Sequence, residues 1–415
     1  MSSIKYQYVV SMSYDVGVYQ TQVIDWLNLF HEHGLDFELV QLWVVKPFDF
    51  RRKSYYKKQE SLIKNAYKGK IKFYKILPGW RNGLFRFINN VLCRYRTKGS
   101  LKLNDQLVIF SRSNIGYSIA SLKRKYGNRI QFYWDLRAAG SEEILHKMKL
   151  EHRFSNKDFK ILFANTRAYY ICQNVADKIF AVSETLMNYY HKLFGTDMDK
   201  FVLYPCLSTI QKFYYDEEAR TMIREQLGYK ENDIVLVYSG GTDSTYCISN
   251  AFLALTDTWH KENNNIRLLI ITKRKTAELI EAINDFPSIK DKVQVVESIP
   301  NNEMVKYLNA GDFGLLLRDN IVLNNVASPV KFAEYQLCGL PVIISEAVCD
   351  YAQYTEKHQT GYVLPNGKLE NLDFKDLCFL DKNAFIRKHI SSLAIENLSK
   401  ESAINRIVEQ LNPNC

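Results

Sequence analysis

The sequence predicts an α/β protein made of two Rossmann-like, doubly wound parallel-sheet domains that face a cleft. Three observations carry that expectation. The chain has 415 residues, and at roughly 100–200 residues per domain two domains are expected. Short apolar runs alternate with amphipathic stretches, the pattern of β/α units and parallel sheets. A break falls at Pro205–Tyr215, between a strand and a polar helical stretch.

In the first half, strands are expected near Tyr6–Met12, Phe37–Val44, Leu107–Ser111, Ile130–Trp134, Lys178–Val182 and Phe201–Tyr204. A helix is expected over Gln20–His33, where Val23, Ile24, Leu27 and Phe30 recur at helical spacing and Gly34 stops it. In the second half, strands are expected near Ile234–Tyr238, Arg267–Ile271, Val293–Val296, Phe313–Leu317, Val342–Ile344 and Gly361–Leu364. The expected domains are residues 1–207 and 208–395, with a C-terminal helix in 396–415 packing back on the first domain.

Composition excludes several classes. The eight cysteines form no Cys-x-x-Cys pair, and the eight histidines form no metal-ligand or triad pattern. A reduced intracellular setting without a metal cofactor is therefore expected. The N-terminal run Tyr6–Ser11 reads as a first strand, not a signal segment. No apolar run reaches the ~18 residues of a membrane span, so a soluble or peripheral cytoplasmic protein is expected.

The segment Ser328–Ile343 (SPVKFAEYQLCGLPVI) carries the chemistry. Ser328 reads as an N-cap and Pro329 as the first helical residue. Val330, Lys331 and Glu334 continue the helix and Gly339 ends it. A helix N-terminus offers free N–H groups and partial positive charge, and a lysine there suits a diphosphate. Glu334, a turn further in, can accept the hydroxyls of a ribose. An ordinary capped surface helix explains the same spacing without a ligand.

This segment closely resembles the donor-site signature of GT-B glycosyltransferases of family 4, the glycosyltransferase group 1 family. Leu315–Asn320 is similar to bacterial polysaccharide-building members. The resemblance implies a GT-B fold and a retaining, hexosyltransferase-type enzyme with a nucleoside diphosphate sugar as donor. It implies that Glu334 binds the donor ribose and that Ser328 and Lys331 lie at the donor phosphates. Two departures stand out: Val326 occupies the position of the family's first Glu, and the Gly-Arg-x5-Lys stretch is replaced by Tyr238–Ser244. Arg318, Lys331 and Lys273 or Arg274 are then the cations left for phosphate.

Other strand ends point to the same chemistry. Ser239, Gly240, Gly241 and Thr242 follow a strand, where glycines allow close approach to phosphate. Gly17 lies in the first strand-to-helix loop, where the family has a donor-side glycine. Asp135, Arg137 and Glu143 resemble an Asp-x-Arg-Gly-x-x-x-Glu stretch of some family-4 enzymes, with Ala138 for the glycine. With Arg112 they are the candidates for acceptor contacts; Asp135 and Arg137, with Lys331 and Arg318, are also the candidates for catalysis. A structural Asp–Arg pair is the competing reading.

Net charge is +10, and Arg51–Lys102 holds 16 Lys/Arg against Glu60 alone, so that stretch carries +15 and the rest −5. Aromatics interleave with these cations. Phe85, Ile88, Leu92 and Tyr95 share one helix face by spacing, as in a helix lying on anionic lipid. A partner-free basic face and a nucleic-acid surface are the alternatives, the latter without any accompanying nucleic-acid module.

The expected function is retaining glycosyl transfer from a nucleotide sugar to a glycan or lipid-linked acceptor in surface polysaccharide synthesis. A non-catalytic GT-B subunit that binds glycan or scaffolds a partner is the second reading.

Overall fold

The computed structural model describes residues 4–14, 17–44, 53–77, 83–98, 101, 105–241, 249–365 and 384–412. The chain divides into two compact units: Met1–Pro205 with Ile404–Cys415, and Cys206–Ala403.

The first unit holds seven strands: β1 (Ile4–Val10), β2 (Phe37–Val44), β3 (Ile71–Ile76), β4 (Gln106–Ser111), β5 (Ile130–Leu136), β6 (Lys178–Ala181) and β7 (Phe201–Leu203). Their order is 3-2-1-4-5-6-7 and every pairing is parallel. Strands covered on both faces must be apolar throughout. β4 and β5 obey this, since all but their Gln residues are buried.

β3 lies inside the basic stretch, where no strand is expected. It is an edge strand of alternating character, IKFYKI, and is only half-buried. Its Lys72 pairs with Glu38 on β2 at 2.8 Å. Lysines on an edge strand discourage pairing with other chains. The expected helix Gln20–His33 opens with a π-helical turn over Gln20–Ile24 before the α-helix Asp25–Glu32.

The second unit holds six strands: β8 (Ile234–Ser239), β9 (Ile266–Thr272), β10 (Val293–Glu297), β11 (Phe313–Leu316), β12 (Val342–Ser345) and β13 (Gly361–Leu364). Their order is 10-9-8-11-12-13, again parallel. The strand order reverses between β8 and β11, the crevice where such sheets bind ligands. Below it, Leu236, Ile270, Leu315 and Ile343 share a buried core with Trp259 and Phe252.

A buried carboxylate joins the two switch-point strands. Asp312, at the start of β11, accepts from the Val235 N–H of β8 at 2.7 Å. Its charge is met by Arg220 at 2.5 Å and Arg224 at 3.1 Å. Burying such a charge is tolerable only when it is paired and hydrogen-bonded.

The helix Val330–Leu337 runs from the carboxyl edge of this sheet back to β12. Its N-cap is Pro329, not Ser328. The Ser328 Oγ instead accepts from the Cys206 N–H at 3.0 Å and shares a hydrogen with the Tyr351 hydroxyl at 2.9 Å. At the other end, Gly339 has φ +70°, and a Cβ there would meet the Arg387 carbonyl. Arg387 is buried in the helix Ala384–Leu398 and donates to the carbonyls of Cys338, Gly339 and Asn309. Burial pulls its guanidinium down to about 10. A side chain far along the chain thus holds the turn that ends the Val330–Leu337 helix.

Candidate functional site

Parallel strands put all their carboxyl ends on one edge. On that edge of the second unit, β8 delivers Ser239, Gly240 and Gly241, β9 delivers Lys273, and β11 delivers Arg318. The N-terminus of the Val330–Leu337 helix adds Lys331. Thr242 lies outside the described residues.

Lys331 and Gly240 meet directly. Gly240 has φ +143°, a left-handed value reserved for glycine, and a Cβ there would collide with the Lys331 ammonium. The Gly240 N–H donates to the Ile271 carbonyl at 2.8 Å, which pins the loop to β9. The ammonium sits 4.6 Å from the Tyr238 ring centre and 3.4 Å from its hydroxyl. That hydroxyl donates to the Gly241 carbonyl at 2.6 Å. Tyr335 on the same helix accepts from the Ser239 N–H at 2.9 Å. Helix and glycine loop are therefore held together by two tyrosines, with the Lys331 ammonium against the loop.

Glu334 follows one turn later. Burial pushes its carboxyl up to about 7, against the lowering influence of Lys331, Lys400 and Lys212. A carboxyl so poised accepts hydrogen bonds fully only at or above neutral pH. The position eight residues earlier holds Val326, buried and apolar.

Arg318 is half-buried, and its guanidinium donates to Asn324 at 3.3 Å. Its N–H donates to Ser345 Oγ at 2.8 Å, which ties the ends of β11 and β12. Lys273 is exposed. The structure brings Gly240, Lys331 and Glu334 together. The Ser328 hydroxyl is committed to Cys206 and Tyr351, so its sequence reading as a cap is corrected to a brace between segments.

In the first unit, Asp135 on β5 is 2% exposed. One oxygen accepts from the Tyr8 hydroxyl at 2.6 Å and the other faces Arg137 Nε at 2.5 Å. The Arg137 guanidinium packs 4.4 Å from the Tyr204 ring centre. Both carboxylate oxygens are thus engaged inside the protein, which suits a positioning pair. Burial raises Tyr8 and Tyr204 well above the usual phenol range. Arg112, after β4, donates to Gln22 at 2.5 Å. Glu143 is exposed on the helix Gly140–Leu150, and the Gly17 carbonyl accepts from Thr21 in the π-helical turn.

The helix Gly83–Lys98 crosses the basic stretch with its face turned from the expected one. Phe85, Ile88 and Leu92 are half-buried, and the Tyr95 side chain lies outside the described residues. The exposed apolar face is Leu84, Phe87 and Val91. Position i, i+3, i+7 spacing fits either set; packing against the neighbouring helix selects which turns outward.

Among the described residues no three His, Cys, Asp or Glu side chains group to hold a metal. The sequence contains one Asp-x-Asp, Asp197-Met198-Asp199. It forms a short 3-10 turn in which Asp197 accepts from the Asp199 N–H at 3.1 Å. Among the described residues no helix is long and apolar enough to cross a membrane.

Residues 219–375 match the family described as glycosyl transferases group 1. No curated protein matches the sequence. Among solved structures, Anabaena HepE in complex with UDP aligns with a TM-score of 0.68 at 13% identity, over 98% of this chain and 99% of that one. A glycosyltransferase from Rickettsia africae aligns at 0.65 and 14% identity, over 100% of both chains. WaaG, a glycosyltransferase involved in lipopolysaccharide biosynthesis, aligns at 0.60 and 13% identity, over 98% of this chain and 100% of that one. At such identities the likeness to these structures is one of fold.

Proposed function

We propose that this chain, a glycosyltransferase of GT-B fold with a group 1 domain in its second unit, transfers a sugar from a nucleoside diphosphate sugar with retention of configuration. The acceptor is a glycan or a lipid-linked glycan of a surface polysaccharide. The observation that carries this reading is the Lys331 ammonium seated against Gly240 at the switch point, with Glu334 one turn away.

Each part has a role. The N–H groups at the start of the Val330–Leu337 helix cradle the diphosphate, and Gly240, without a side chain, lets the loop approach it closely. Lys331 neutralises it, with Arg318 and Lys273 nearby on the same sheet edge. Glu334 accepts from the ribose hydroxyls. Asp135 and Arg137, with Arg112 and Glu143, shape the acceptor side. A UDP sugar is the first donor to try, because HepE is described in complex with UDP and with UDP-glucose.

Retaining transfer needs no strong protein base: the departing diphosphate takes the acceptor hydroxyl's proton as the new glycosidic bond forms on the same face. The protein then contributes positioning and stabilisation of the leaving charge. Losing one such charge costs on the order of 10²-fold in rate. Lys331→Ala and Glu334→Ala are each expected to lower donor turnover by about that factor with far-UV circular dichroism unchanged. Turnover within a few-fold of wild type in both variants would sink the assignment.

Val326 supports a second reading, a non-catalytic glycan-binding or scaffolding subunit, because an apolar side chain stands where relatives carry an acid. Release of sugar from a bound donor, followed by chromatography, decides between the two.

A further inference from the structure

The first unit contains a second cavity of chemistry unlike the donor edge. It has a volume of about 810 Å³ and lies between the β3-β2-β1-β4 side of the sheet and the helices Gly83–Lys98, Gly116–Tyr126 and Asn156–Val175. Small-molecule sites span ~300–1,000 Å³. In a doubly wound sheet this layer is normally filled by helix side chains. Here Val9, Val40, Leu42 and Ile109 border the space and keep 4–8% of their surface exposed to it. Apolar walls without partner atoms forgo dispersion contact, and an apolar chain would restore it.

The polar part of the lining has one sign. Among the described residues, Arg86, Arg96 and Arg167 line the cavity and no Asp or Glu does. Arg86 and Arg167, from different helices, converge on one ring: their guanidinium carbons lie 5.1 and 5.7 Å from the centre of Tyr117. Neither makes an ion pair among the described residues. Each guanidinium is set against the Tyr117 ring and not against a carboxylate, so an anion at the cavity is favoured by both. The Tyr117 hydroxyl and Ser113 Oγ are buried without a hydrogen-bond partner among the described residues, and Ser113 is only 6% exposed. Buried polar atoms left so are costly, and here they face the cavity lining named above. At the rim, Phe163 is 69% exposed beside Ile161, and Leu84, Phe87 and Val91 extend the apolar surface along the neighbouring helix.

We propose that this cavity binds a single-chain amphipathic anion, an alkyl or isoprenoid chain carrying a phosphate. The chain lies between sheet and helices and the phosphate lies within reach of Arg86 and Arg167. The site stands on the first unit alone and is independent of the donor chemistry.

Dodecyl phosphate, titrated calorimetrically into the full chain below its micelle concentration, tests this. One saturable site is expected. Inorganic phosphate is expected to give no heat, and dodecyl maltoside, with the same chain and an uncharged head, to bind at least tenfold more weakly. Ala168→Phe, which fills the cavity from the Asn156–Val175 helix, is expected to weaken dodecyl phosphate at least tenfold. Arg86→Gln with Arg167→Gln is expected to do the same while leaving dodecyl maltoside unchanged. Ala164→Phe, on the same helix and also lining the cavity, serves if Ala168→Phe fails to fold. Absence of a saturable site, equal binding by a folded cavity-filling variant, or equal affinity for inorganic phosphate would each overturn the proposal. UDP-glucose titrated into the same preparation reports on the transfer reading separately.

Discussion

At the scale of single residues, Glu334 makes the clearest statement. Its carboxyl is ordinary in the unfolded chain and raised to about 7 by burial in the folded one. Between those values the folded chain holds the extra proton, so stability falls as pH rises from about 4.5 to about 7 and levels off above. The full shift corresponds to about 3 kcal/mol. Glu334→Gln is expected to remove that decline in urea-unfolding profiles taken across pH 4–8, while donor affinity loses its rise toward pH 8. Identical pH profiles for variant and wild type would show that Glu334 does not titrate there. The placement of Lys331 and Glu334 on one helix was readable from the sequence because their spacing is local. The role of Ser328 was not, because its partners Cys206 and Tyr351 lie 122 and 23 residues away. The Asp135–Arg137 pair was readable as an alternative only, since nothing local reveals that Tyr8 closes the second oxygen.

At the scale of elements, the Val330–Leu337 helix is held at both ends by other parts of the chain. Ser391 donates to the Leu337 carbonyl at 2.8 Å, and Phe332 stacks on Tyr351 with ring centres 4.2 Å apart. Arg387→Ala strips a donor from three buried carbonyls, each worth ~1–3 kcal/mol when left unmade. A loss of about 3 kcal/mol or more in urea unfolding is expected, with Arg387→Lys recovering part of it. A loss under about 1 kcal/mol would mean that water replaces the guanidinium. Most strands were readable because a doubly covered strand must be apolar along its length. β3 was hidden because an edge strand pairs on one side only and tolerates Lys72 and Lys75. The outward face of Gly83–Lys98 was misjudged because two apolar stripes run along it, and only tertiary packing chooses between them.

For the whole molecule, the alternation of elements was enough to expect two doubly wound sheets, and the family's motif lies in the unit that the sequence favoured for the donor. What the sequence withholds at this scale is the cavity of the first unit, an absence of side chains between layers that no local pattern records. The terminal segment is also tested here. Ile404, Ile407 and Leu411 are buried, and Lys178 on β6 donates to the Gln410 carbonyl at 2.8 Å. Cutting the chain after Ala403 removes three buried aliphatic side chains, each worth ~2–5 kcal/mol. The first unit's calorimetric transition is expected to fall by at least ~12 °C, and the second unit's to move little. An unchanged first transition would show the segment to be dispensable.

That return of the terminal segment also orders events during synthesis. The first unit is translated through Pro205, yet its last piece begins at Ile404, with Cys206–Ala403 made in between. At ~5–20 residues per second the wait is roughly 10–40 s. Through that interval the nascent first unit exposes the apolar strip that Ile404, Ile407 and Leu411 will cover. The second unit, complete within one stretch of chain, is free to fold first.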